Sequence, residues 1–402
     1  MTALTGAVFA RLDRARLEGQ LLDMLEYYSP PFGEADLVRF VAAQCEKRGL
    51  TVDVQPVPVF PGDGRGNVLL RLGPGADSPI PDSGGTAVPL GLLWLGHLDT
   101  IALWGPTDEP TRDHRPTRIG NTLRGLGAAD MKAGCAAAIE ALTALAESGL
   151  TLKKGLAVGL VVGEEESGDG AEALRGRFWA PLTVVGEPTE LRPCPDHCGY
   201  VELRIDATGE RAHAALPHHG ASAVHALVDA LAEVLAVTKR DVPYDSQSEA
   251  EIAVSVRQLE GGGPQFVVAD RSCALLDIHV APDLSLDQVE ASIVEAVTRV
   301  GRRHARVHLA VDRTFFAPGA RAEPDDPRAN PLRMAFDCVG RVYAPTSFRS
   351  HSDANFFHET ATIVVGPGRL EHAHRADEEV DLDEVWTAAR LYAAAFVEAC
   401  VR

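Results

Sequence analysis

Apolar residues recur at helical spacing between about Leu12 and Arg48 and are interrupted at Ser29-Pro30-Pro31-Phe32-Gly33, which predicts helix, loop and helix. Short apolar runs then alternate with helical stretches. Strands are expected at Thr51–Val59, Asn67–Leu72, Gly91–Leu95, Gly155–Val162 and Leu182–Val185, with a helix over Lys132–Ser148. This alternation predicts a largely parallel sheet covered by helices on both faces. In such sheets ligands gather just beyond the carboxyl ends of the strands.

After Pro193-Cys194-Pro195 the order becomes strand Gly199–Ala207, helix Ala221–Val237, strands Glu251–Leu259 and Ser272–Val280, helix Leu286–Val300 and strand Arg306–Val311. That succession is a ferredoxin-like βαββαβ unit. Beyond Asp312 the chain returns through the Pro-, Gly- and Asp-rich stretch Ala317–Pro331, and Thr362–Val365 is expected to rejoin the first sheet. The fold class is therefore α/β, a mixed, mostly parallel sheet flanked by helices with an inserted second domain. The expected division is 1–195 and 313–402 for the first domain and 196–312 for the insertion.

Composition narrows the class of partner. Of 402 residues, 46% are apolar and 24% charged, the balance of a globular chain rather than a disordered one. The net charge of −19 repels phosphate backbones and anionic lipid, so neither nucleic acid nor a membrane is expected as partner. The opening MTALTGAVFARLDRAR lacks the basic start of a signal peptide and reads as the beginning of a helix. Seven scattered cysteines without an export signal suggest reduced thiols in the cytoplasm. Cys194 and Cys198 flank His197, but no second pair completes a structural zinc site.

The chemistry is carried by five motifs, each at the end of a strand or the mouth of a helix. His97 and Asp99 close the run Gly91–Leu95, an arrangement in which His ligates a metal while Asp takes the other ring N–H. Asp130 ends the loop Gly125–Ala129 and can equally be a helix cap. Glu164, Glu165 and Glu166 follow Gly155–Val162, where like charges call for a cation or for solvent. Glu187 follows Leu182–Val185, and His372 and His374 follow Thr362–Val365. Imidazoles and carboxylates converging on one sheet edge suit a pair of borderline-hard cations.

With these motifs in this order, the sequence resembles the di-zinc metallopeptidase family of carboxypeptidase G, acetylornithine deacetylase, succinyl-diaminopimelate desuccinylase and aminoacylase, over nearly its whole length. The resemblance implies a zinc-peptidase-like sheet with the inserted domain as lid. It implies two zinc ions per subunit, cobalt or manganese being acceptable substitutes, with His97 and Glu187 on one, Glu165 and His374 on the other and Asp130 bridging. Asp99 would support His97, and Glu164 would be the general base. His213, in Gly209–Ala214, would steady the oxyanion from the partner of a homodimer formed through the lid. Asp353, in Ser352-Asp353-Ala354, would help line the site. The implied activity is hydrolysis of the amide of an N-acyl amino acid or peptide-like substrate. A dipeptidase, a hydrolase of a larger or carrier-linked amide and an inactive binding homologue are the alternatives. The lid departs from the family: Phe266 stands at the usual Asn and His279 at the usual Arg that grips the substrate, leaving Arg211 and Arg349 as candidates for the missing charge.

Overall fold

The computed structural model describes residues 2–58, 62–82, 84–103, 115–238, 252–323, 325–375 and 377–402. The chain divides into two compact units, one formed by Met1–Pro195, Ala322–Thr346 and Ser352–Arg402, the other by Asp196–Arg321 and Ser347–His351.

In the first unit the sheet runs in the order Thr51–Pro56, Gly66–Leu72, Gly155–Val161, Val88–His97, Leu182–Val185, Ala361–Val364, with Phe178–Trp179 added beside Val88–His97. The first two strands are antiparallel to their neighbours and the rest are parallel. The parallel strands are buried along nearly their whole length, because helices cover both faces. The helix Ala133–Glu147 is rich in alanine and lies buried from Ala133 to Leu145. Small side chains let it pack closely against the helix Leu382–Phe396, whose Tyr392 donates its hydroxyl to the Val365 carbonyl at 2.8 Å and meets Trp94 edge-on. Each fully buried leucine here contributes ~1.5–3 kcal/mol. The packing therefore makes the sheet edge a rigid platform.

In the second unit four antiparallel strands lie in the order Ile252–Gly261, Arg271–Val280, Gly199–Thr208, His308–Ala317. Burial alternates along Gly199–Thr208 and Arg271–Val280, so one face packs Val201, Leu203, Ile205, Leu276 and Ile278 against the helices Ala223–Thr238 and Leu286–Arg303. This is the βαββαβ arrangement read from the sequence. The end of the unit is not. The sequence reading closes the last strand at Val311 and the domain at Asp312, whereas His308–Ala317 pairs with Gly199–Thr208 as far as Ala317. Ala320–Arg321 and Ser347–Phe348 then flank Asp196–His197 in a three-stranded sheet. These pairings carry the unit to Arg321 and add Ser347–His351, so Arg349 belongs to it rather than to the returning segment. Of the expected strand ends, Val59 and Glu251 lie outside the described residues, and the first strand closes at Pro56.

Candidate metal centre

His97 is the last residue of its strand, and Glu187 follows Val185 after one glycine. That glycine has no substitute: a Cβ on Gly186 would run into the Trp94 ring, while its N–H continues the ladder to the Leu95 carbonyl at 3.0 Å. Gly163 turns the chain with φ +77, and a Cβ there would collide with the Arg65 guanidinium. Arg65 is buried beneath this turn, with Nε donating to both Glu34 oxygens at 3.1 Å and Nη1 to Asp169 at 2.9 Å. A buried pair with several hydrogen bonds fixes position more than it adds stability. It holds the start of the Glu164-Glu165 segment.

These elements bring His97, Asp130 and Glu187 together as one group of facing ligand atoms, and Asp130, Glu165 and His374 as another. His97 Nε2 lies 3.0 Å from Asp130 Oδ1 and 3.8 Å from Glu187 Oε1. His374 Nε2 lies 3.3 Å from Asp130 Oδ2 and 3.0 Å from Glu165 Oε2. Asp130 thus turns one oxygen toward each imidazole. The Cys194–His197–Cys198 cluster yields no such group among the described residues.

The expected partner of His97 differs in detail. Its Nδ1 donates to the main-chain carbonyl of Asp99 at 2.9 Å, whereas the Asp99 carboxylate stands 3.7 Å away. A carbonyl only accepts, so the proton is fixed on Nδ1 and Nε2 faces the ligand cluster. The Asp99 carboxylate instead accepts the Glu165 N–H at 2.9 Å, tying the first strand end to the third motif. The sequence could not distinguish these two uses of one residue.

Electrostatics define what the cluster requires. Burial, joined by repulsion from Asp130, raises the Glu165 and Glu187 carboxyls. Burial likewise holds Glu164 well above its ordinary value, with Asp353 and Glu165 adding repulsion against the attraction of His97. Asp130 is driven the other way: burial works against its charge, but the hydrogen bonds of His374 and His97 keep it well below the carboxylate range. Burial also opposes protonation of His374, yet the carboxylates of Asp130 and Glu165 raise it to about 11. The cluster thus holds a surplus of acid that calls for balancing positive charge. Asp99 Oδ1, Glu165 Oε1, Glu187 Oε1 and both oxygens of Asp353 are buried without a hydrogen-bond partner. Buried carboxylate oxygens of this kind fit divalent cations, which can supply the balancing charge.

Two further residues shape the site. Asp353 is only 1% exposed, in a short turn capped reciprocally by Ser352 and Asn355, and burial pushes it up to about 7, with Asp99 repelling and His97 attracting. Glu378, to which the sequence reading assigns no role, accepts three main-chain N–H groups from the Asp130 loop. A glutamate four residues after a histidine carries no sequence signal that separates it from a surface charge.

In the inserted unit the candidate residues disperse. His213 accepts the Ala215 N–H at 3.1 Å and lies parallel to the Phe266 ring at 6.4 Å between centroids. Arg211 is paired with Asp270 at 2.8 Å, so its charge is already engaged. His279 and Arg349 share a pocket with Cys198, Ser347, Ala253, Ala281 and Pro282. His279 Nε2 is 3.3 Å from the Ser350 hydroxyl, and its ring is tilted against Tyr200 at 5.0 Å.

Known proteins agree with this architecture. An acetylornithine deacetylase of Erwinia tasmaniensis is 28% identical over 365 residues, covering 86% of each chain. The crystal structure of aminopeptidase PepT from Bacillus cereus superposes with a TM-score of 0.72 at 20% identity, over 97% of this chain and 99% of that one. Human carnosine dipeptidase 1 gives 0.74 at 16% identity, over 98% and 99%. At such identities the structures establish the fold. Residues 93–398 match the sequence pattern of peptidase family M20/M25/M40, well over half the chain. The chain belongs to peptidase family M20/M25/M40 and is a metal-dependent hydrolase of amide bonds.

Proposed function

We propose that the chain removes the acyl group from an N-acyl amino acid, using two divalent ions held at the edge of its parallel sheet. His97 and Glu187 would hold one ion, Glu165 and His374 the other, and Asp130 both. Zinc suits this mixture of imidazole and carboxylate, as cobalt or manganese would. Such ions supply Lewis acidity that polarises an amide carbonyl and makes water more acidic. Glu164, half-buried beside the cluster and raised in proton affinity, takes the proton of the attacking water and returns it to the leaving nitrogen. His213, on an exposed loop of the inserted unit, donates to the oxyanion across a homodimer formed through that unit. None of the seven cysteines is joined in a disulfide, and a cytoplasmic setting, where thiols stay reduced, suits that. No helix among the described residues is long and apolar enough to cross a membrane.

The observation that carries the reading is the splayed carboxylate of Asp130, with one oxygen to each imidazole. The deacylase reading is taken first because the similarity to an acetylornithine deacetylase extends to 28% identity over 86% of each chain, whereas the peptidase structures bear on the fold alone. The test is metal analysis of dialysed protein together with kcat/KM on N-acetyl amino acids and matched dipeptides. Two metal ions per chain and preference for the acetylated substrates are expected. One ion or none with activity intact would sink the two-ion reading, and a preference for dipeptides would move the assignment to a dipeptidase.

A further inference from the structure

Glu378 is 2% exposed, and the mechanism above gives it no task. Its Oε2 accepts the N–H of Gly127 at 2.9 Å, while Oε1 accepts those of Ala129 at 2.8 Å and Asp130 at 2.9 Å. Its main-chain carbonyl accepts the N–H of Gly125 at 2.9 Å. That last bond extends a short antiparallel pairing in which Glu379 faces Arg124, so the strands leading into the Asp130 loop and away from the His374 segment run side by side. Three N–H groups converging on one carboxylate form a concave anion cradle whose bonds are charge-assisted and directional. Here the protein supplies the anion itself.

The position of this cradle is specific. One of the three N–H groups belongs to Asp130, the residue common to both ligand groups. For one oxygen of Asp130 to meet His97 at 3.0 Å and the other to meet His374 at 3.3 Å, its main chain must be held against rotation. Glu378 also follows His374 by four residues, and its own N–H closes a turn onto the Arg375 carbonyl at 3.2 Å. One side chain therefore links the segment bearing Asp130 to the segment bearing His374. It carries a negative charge close to Asp130, a repulsion that a simple loop anchor such as Ser or Asn would avoid.

We propose that Glu378 is the positioning residue of the metal centre: its carboxylate fixes the main chain of Gly127–Asp130 so that Asp130 keeps one oxygen for each ligand group. The proposal deepens the two-ion reading and rests on it only where metal affinity is concerned. Its test compares Glu378→Gln with Glu140→Gln, a control in which another buried carboxylate, paired with Arg16 at 2.7 Å and accepting the Asp13 N–H at 2.8 Å, is neutralised. In metal-free protein, hydrogen exchange at the amides of Gly127, Ala129 and Asp130 should quicken at least ~10-fold in Glu378→Gln, while the helix Ala133–Glu147 stays protected. By calorimetric titration with zinc, both equivalents should weaken together by ~10–100-fold, the usual effect of losing a group that orients a ligand. Glu140→Gln should lower Tm and leave zinc affinity unchanged. Should Glu378→Gln fail to fold, Glu378→Asp keeps the charge at shorter reach and should show the same joint weakening in smaller degree.

Unchanged zinc affinity in the Glu378 variants, weakening confined to one equivalent, or an equal loss in Glu140→Gln would each overturn the proposal. If wild type takes up fewer than two zinc ions, it is the two-ion reading that fails. The exchange rates then judge the clamp alone: faster exchange at the three amides upholds it, and unchanged exchange refutes it.

Discussion

The edge of the parallel sheet and the loops of the inserted unit hold similar side chains under opposite conditions. At the sheet edge His97, Glu187 and Asp130 are 0%, 3% and 7% exposed, each at or just beyond a rigid element. In the inserted unit Phe266 is 65% exposed, and the Arg211 side chain is 66% exposed while paired with Asp270. Acid buried at the edge has no solvent to disperse its charge and must be balanced, which makes the constellation strict. Exposed loop residues bear little of that cost, so they can change with the substrate while the fold persists. The difference teaches that the ligand cluster is constrained by burial in a way that His213, Arg211 and Phe266 of the inserted unit are not.

The strongest way to break that comparison is to remove the shared ligand. Asp130→Ala should empty both sites and abolish measurable turnover, because no other residue belongs to both groups. Metal analysis showing one ion retained would mean that the groups are independent. Next in size, Glu164→Gln should keep both ions and lose a factor of ~10² to 10⁴ in kcat, the usual contribution of a general base. Glu165→Gln should instead weaken the ion held with His374. If the two variants exchange phenotypes, the roles along Gly163–Glu166 shift by one residue.

Protons provide a subtler test of the same edge. His374 in the metal-free protein is raised to about 11, burial opposing and the carboxylates of Asp130 and Glu165 prevailing. A raised imidazole stabilises the metal-free fold fully below its ordinary value of about 6.5, and that contribution is lost as pH rises through about 11. A cation at this position must displace the proton, so metal affinity should rise with pH across that window. Calorimetry in buffers of different ionisation enthalpy should detect proton release on zinc binding. Uptake without release would show that the imidazole is already neutral.

The regularity of the sheet edge also explains why it was legible in the sequence. His97, Glu165 and Glu187 end or closely follow runs of buried apolar residues and stand out against them, whereas Asp130 and His374 lie in loops and were legible only through the motifs taken together. The alternation along Gly199–Thr208 and Arg271–Val280 likewise marks a half-buried antiparallel sheet. What stayed hidden depends on main-chain geometry. The Asp99 carbonyl, not its carboxylate, holds His97. The cradle around Glu378 is made of N–H groups that every residue possesses. The attachment of Ser347–His351 to the inserted unit follows from a two-residue pairing with Asp196–His197, too short to leave a pattern.

The smallest expected effects lie in the inserted unit, and they sharpen the comparison most. Sequence alone left Arg211 and Arg349 as equal candidates for the charge that His279 does not permanently carry. Their surroundings differ. Arg211 already faces Asp270, so releasing it for a substrate carboxylate would leave that acid unpaired. Arg349 lines the pocket that also contains His279, beside the apolar surface of Ala253, Ala281 and Pro282. A planar guanidinium next to an apolar wall suits a carboxylate carried on a short aliphatic chain. Arg349→Met should therefore raise KM for substrates with a free carboxylate by ~10-fold, about 1.4 kcal/mol, with kcat nearly unchanged. Substrates with an amidated carboxyl should scarcely respond. Arg211→Ala should change either class by less than ~3-fold, since an exposed ion pair contributes little. The measurement is kcat/KM for paired free and amidated substrates in wild type and both variants. A loss in kcat for Arg349→Met would add a second residue of the inserted unit, after His213, to the chemistry, and the assignment of Arg349 to substrate binding would have to be withdrawn.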